Sequence, residues 1–146
     1  MTQRAKRLEP VKDLAQKTER VQAERLARAQ RRASEARGKL QELQVYLQDY
    51  QNMFNKRARG GMSIGGLRDY QVFIARLQEA LQQQQSLADR LAEECAREHS
   101  QWLQFVARTK ALGKAIDNAR ADERKHAERK LQSEIDERAL RGRGVK

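Results

Sequence analysis

Four glycines, Gly60, Gly61, Gly65 and Gly66, stand within seven positions, and Gly61 and Gly66 have the spacing of the two glycines of a phosphate-binding loop. Such a loop needs Lys and then Ser or Thr after the second glycine, to meet the phosphates and their metal. Here Leu67 and Arg68 follow, and no strand precedes. The glycines therefore read as a chain reversal, since glycine reaches positive φ without a Cβ penalty. His99 and His126 are far apart and neither belongs to an H-E-x-x-H pair, while one cysteine, Cys95, cannot build a zinc site. The carboxylates alternate with bases, as in "ERKHAERK", where Glu123, Arg124, Lys125, Glu128 and Arg129 sit at i,i+3 and i,i+4 spacing. That is the pattern of a solvated helix face rather than of an acid/base dyad. No catalytic residue, cofactor or metal is implied, and the chain reads as a non-enzyme that takes no small-molecule substrate.

The elements that carry these residues follow from composition and period. Of 146 residues 35% are charged and only 5% aromatic, so there is little material for a thick core. Ala, Glu, Gln, Leu and Arg all enter helices at low cost, and the one proline, Pro10, is expected at the N-terminal edge of helix one. Leu26, Ala29, Ala33, Ala36, Leu40, Leu43, Leu47, Tyr50 and Phe54 alternate spacings of three and four, a heptad seam. Val11, Leu14, Thr18 and Val21 follow the same alternation in a shifted frame, so a stutter is expected between Val21 and Ala29. A second seam runs from Leu67 through Tyr70, Ile74, Leu77, Leu81, Gln84, Ala88, Leu91, Cys95 and Glu98 to Trp102, Phe105, Thr109, Leu112, Ile116 and Ala119. Cys95 is expected as a small residue of that seam.

The expected fold is all-α: two long helices in one antiparallel coiled-coil hairpin. Helix one spans about 8–55, the glycine-rich bend about 56–66, helix two about 67–140, and residues 141–146 are expected to fray. Ser63 is the expected N-cap of helix two. A tight reversal sets Phe54 near Leu67 and Leu8 near Gly113.

MTQRAKRLEP carries charge from its fourth residue and lacks an apolar h-region, no run approaches the roughly 18 apolar residues of a membrane span, and there is one cysteine. These features lead to the expectation of an intracellular protein. The net charge of +11 is uneven: Lys and Arg stand against Asp and Glu as 15 to 7 in residues 1–60, 7 to 7 in 61–119 and 9 to 6 in 120–146. An acidic partner is implied. Nucleic acid is the alternative partner, but Tyr46, Tyr50, Tyr70, Phe54, Phe73, Trp102 and Phe105 mostly fit the seams rather than interleaving with arginines as stacking platforms. A self-associating structural coiled coil is a further alternative.

"GGMSIGGLRDYQVFIARLQEALQQQ", with "VKDLAQKTERVQAERLARAQRR" ahead of it and "LQVYLQDYQNMF" closing helix one, resembles the bacterial flagellar FliJ family over nearly the whole chain. The resemblance implies a long antiparallel coiled coil similar to the stalk of rotary ATPases, and a cytoplasmic component of flagellar type III protein export that associates peripherally with the membrane at the flagellar base. It implies three partners: the export ATPase hexamer, the export-gate membrane protein, and substrate-specific export chaperones that it helps to recycle. Gate binding would fall on Phe73, Leu77, Ala80 and Gln84, although Leu77 and Gln84 also belong to the seam. ATPase binding would fall on the stretch from Asp13 to Glu24, with Lys12, Lys17, Arg20 and Arg25 as its cations.

Overall fold

The computed structural model of the chain describes residues 3–144. It contains two helices, α1 (Gln3–Arg59, 57 residues) and α2 (Ile64–Gly144, 81 residues), which pack against each other as an all-α hairpin. The described residues form two compact units: those up to Gln22 with those from Trp102 onward, and Ala23–Gln101.

The reversal is shorter than the glycine cluster suggests, because only Gly60 to Ser63 lie outside the helices. Gly61 takes φ +89°, a value that L side chains rarely adopt, and Gly60 and Gly61 donate to the carbonyls of Arg57 and Ala58. The Ser63 hydroxyl accepts from the Gly66 amide at 3.1 Å, the expected N-cap, so Gly65 and Gly66 open α2 instead of bending the chain. With the turn centred later than a midpoint at Gly60, the pairing moves too. Phe54 stacks on Tyr70 rather than meeting Leu67, and Gly113 lies beside Lys12 rather than Leu8.

On α1 a seam of buried and half-buried positions runs Ala5, Leu8, Lys12, Ala15, Glu19, Gln22, Leu26 and on through the expected seam to Phe54, with Gln16, Thr18, Ala27 and Gly38 half-buried beside it. The spacing of three and four is unbroken, so the expected stutter is absent. The frame that the apolar pattern suggested is wrong here: Val11, Leu14 and Val21 are 41%, 66% and 58% exposed, while Gln22 is 3% exposed. Polar residues at core positions hid the true frame from a reading keyed to apolar ones. On α2 every expected seam position is buried or half-buried except Leu67, and Cys95 is half-buried on that seam.

Both helices outrun their expected ends. Pro10 lies inside α1, not at its edge. It lacks the N–H that would bond the Lys6 carbonyl, and the turns before it are held by packing of Ala5, 4% exposed, and by an ion pair between Glu9 and Arg120. Residues 141–144 continue α2 rather than fraying, and 145–146 lie outside the described residues.

Candidate interaction faces

Within Ala23–Gln101, five rings from α1 and α2 form one cluster near the turn. Phe54 and Tyr70 stack at 3.6 Å between centroids and Tyr50 and Phe73 lie at 4.2 Å, with Tyr46 at 6.2 Å from Phe73. Aromatic residues at i and i+4 on α1 share a face, so Tyr46, Tyr50 and Phe54 meet the pair Tyr70 and Phe73 across the hairpin. An open groove of about 760 Å³ continues from this cluster to the turn, lined among others by Met53, Arg57, Met62 and Asp69.

The four positions expected to bind the gate divide. Leu77 is 8% exposed and belongs to the core. Gln84 is half-buried and its side-chain amide donates to the Ala36 carbonyl at 3.0 Å, beside the small core of Ala36, Leu40 and Ala88. Phe73 is half-buried in the aromatic cluster, and Ala80 faces water. Tyr46, named in the sequence only among rings that mostly fit the seams, is 51% exposed and in ring contact with Phe73. Its signal was the recurrence of rings at 46, 50 and 54.

The positions expected to bind the ATPase divide as well. Asp13, Lys17 and Arg20 are exposed and recur at i, i+4 and i+7, so they share one face of α1. Lys12 is half-buried, with its ammonium group over Gly113, where a side chain would meet Nζ at 3.8 Å. It is a seam residue whose stem packs and whose charge reaches past the glycine. Glu24 and Arg25 are exposed and belong to Ala23–Gln101, where Arg25 donates to Glu98 at 3.3 Å. One heptad on, Arg32 pairs with Glu94 at 2.5 Å.

Arg25, Arg28, Arg31 and Arg32 surround an open groove of about 420 Å³, but Glu35, Glu94 and Glu98 line it too. Three carboxylates among four guanidinium groups make a poor track for a phosphate backbone, which rewards uncompensated cations. Among the described residues no group of His, Cys, Asp and Glu could hold a metal ion, and no helix is long and apolar enough to cross a membrane.

A family model described as flagellar FliJ protein matches residues 4–144. No curated protein and no solved structure matches the chain. Because the family match takes in both helices, the turn and nearly every residue, the chain belongs to the flagellar FliJ family and is associated with flagellar protein export.

Proposed function

We propose that this chain is a non-enzymatic, cytoplasmic component of the flagellar export apparatus, peripheral to the membrane, that binds the export ATPase ring, the export gate and export chaperones. The single observation that carries the reading is the family match over residues 4–144 of a chain that is one helical hairpin. The ATPase contact is assigned to the exposed face of Asp13, Lys17 and Arg20, with Glu24 and Arg25 as further contacts. Lys12, expected in the same set, serves the seam. The gate contact is assigned to Phe73 and Ala80, with Tyr46 added because its ring touches Phe73; Leu77 and Gln84 support that face from beneath. Chaperone recycling rests on the family alone and has no residues assigned to it.

The test uses the purified chain and its cognate export ATPase. Ring assembly followed by sedimentation, and ATP turnover, are both expected to rise when the chain is added. The triple reversal Asp13→Lys, Lys17→Glu and Arg20→Glu is expected to remove the rise while leaving helicity unchanged. No effect on the ATPase, together with salt-sensitive binding to nucleic acid, would replace this reading with a nucleic-acid-binding coiled coil.

A further inference from the structure

Charge is one-sided at the turn. Residues 53–68 hold four cations, Lys56, Arg57, Arg59 and Arg68, and no carboxylate, whereas the groove around Arg25 sets three carboxylates among four guanidinium groups. All four cations are exposed, and among the described residues none of them enters an ion pair. Asp69, just behind them on α2, is exposed and neutralises none of them. Apolar side chains stand out at the same place. Ile64 is 79% exposed, more than any other large apolar side chain among the described residues, and Leu67, expected in the α2 seam, is left in water. Ile64, Leu67 and Arg68 recur at i, i+3 and i+4, so they share one face of the first turns of α2. Arg59 ends α1 across a turn of only four residues.

We propose that the tip of the hairpin docks on an anionic lipid surface. Ile64 and Leu67 enter the boundary between headgroups and acyl chains, while Lys56, Arg57, Arg59 and Arg68 meet the lipid phosphates. At 1.5 Å per residue these six side chains all start within roughly 6 Å of the helix ends, and the long stems of the cations let their heads adjust to the phosphate level. Shape favours a flat surface over a peptide. Ile64, Leu67, Arg59 and Arg68 do not line the groove of about 760 Å³ beside the rings, so a segment seated there would leave all four in water. A surface that meets the hairpin at its tip covers them together.

The turn is suited to leaving bulk water. The Gly60 and Gly61 amides donate to the Arg57 and Ala58 carbonyls, the Leu67 amide to the Ser63 carbonyl and the Gly66 amide to the Ser63 hydroxyl. Four backbone donors therefore arrive already bonded, which lowers the cost of their desolvation. The stack of Phe54 on Tyr70 just below holds the two helix ends together, so little order has to be gained on docking. Two aliphatic side chains reach only the interface, and attachment is reversible and dependent on charge. The contact does not rest on the protein partners proposed above. Phe73 and Ala80 lie roughly 14 and 24 Å back from the level of Ile64, at 1.5 Å per residue, so the gate contact stays open while the tip rests on lipid.

The test is co-sedimentation of the full chain with vesicles of equal parts phosphatidylglycerol and phosphatidylcholine, and with vesicles of phosphatidylcholine alone. Binding to the anionic vesicles is expected to be at least about tenfold stronger and to fall as salt rises. Ile64→Glu with Leu67→Glu, and separately Arg57→Glu with Arg59→Glu, are each expected to weaken it at least about tenfold. These positions are exposed, so helicity by circular dichroism stays at the parent level. Because the whole chain is basic, the control is Lys125→Glu with Arg129→Glu, an equal change of charge on an exposed part of α2, expected to alter binding no more than about twofold. In a Trp102→Phe background, the indole introduced by Ile64→Trp is expected to shift its emission to the blue on anionic vesicles and to be quenched by brominated lipid chains. No binding to anionic vesicles, binding that survives Ile64→Glu with Leu67→Glu, an equal loss from the control reversals, or an indole that stays in water each overturns the proposal. Binding of polyglutamate that Arg57→Glu with Arg59→Glu abolishes, without vesicle binding, would assign the tip to an acidic protein segment instead. The ATPase assay above contains no lipid, so a failure here leaves that reading standing.

Discussion

Seam positions in Ala23–Gln101 are filled by Leu26, Ala33, Leu40, Leu77 and Ala88, all below 10% exposed, and the end near the turn is closed by stacked rings. In the other unit the α1 side of the seam mixes Ala5, Leu8 and Ala15 with Lys12, Glu19 and Gln22, while Val11, Leu14 and Val21 face water one strip away. The α2 side of that seam stays apolar, with Ile116 and Ala119 at 3% and 2% exposed. The contrast shows that one heptad frame can be kept by either of two means. One is mutual burial of apolar side chains. The other is an apolar helix face packing against small residues, Ala5 and Ala15, interspersed with the stems of long polar side chains.

The largest effect that would sharpen the contrast comes from cutting each seam. Leu40→Ala and Ile116→Ala should each cost about 2–4 kcal/mol in urea unfolding, because a buried aliphatic side chain is lost. Leu14→Ala and Val21→Ala should cost no more than about 0.5 kcal/mol, as exposed positions do. A cost at Leu14 equal to that at Leu40 would mean that the apolar strip, not the polar one, packs in solution. Next in size is Pro10→Ala, expected to stabilise the first turns of α1 by as much as about 3 kcal/mol locally, since it restores the bond to the Lys6 carbonyl. Slower amide exchange over residues 5–12 would show it, and unchanged exchange would mean that packing already holds those turns.

Lys12→Leu with Gln22→Leu replaces two polar seam residues and is expected to raise Tm by a few degrees, about 2–4 °C per kcal/mol for a chain of this size. A fall in Tm would show that the polar strip is structurally required at those points. The smallest effect belongs to the turn. Ser63→Ala should cost about 1 kcal/mol through the lost bond to the Gly66 amide, with no change in the seam of either unit.

Much of the fold was legible because the α2 seam and the α1 seam from Leu26 onward use residues that announce their period. The first turns of α1 were not legible, since Lys12, Glu19 and Gln22 carry no apolar signal and Val11, Leu14 and Val21 carry a false one. The bend was placed rightly but drawn too long, because glycine tolerates a helix N-terminus as well as a loop and only Gly61 needs positive φ. Of the interaction faces, Asp13, Lys17 and Arg20 could be grouped by spacing alone. The withdrawal of Leu77 and Gln84 into packing, and the joining of Tyr46 to Phe73, depend on the cross-hairpin register, which rests on where the turn is centred.

The brevity of the turn also sets the order in which the chain assembles. Pairing Phe54 with Tyr70 closes a loop of only a few turns of chain, whereas Arg25 and Glu98 are 73 residues apart and Glu9 and Arg120 are 111 apart. Once the first rings meet, each further heptad is already held close, and no new loop has to be closed from an open chain. The expected order of folding is a zipper from Gly61 outward, with partial opening running inward from the ends. Native-state amide exchange should fall steadily in rate from the residues around Glu9 and Arg120 toward Leu40, so the segment proposed for the ATPase contact is also the one expected to open and re-form most often.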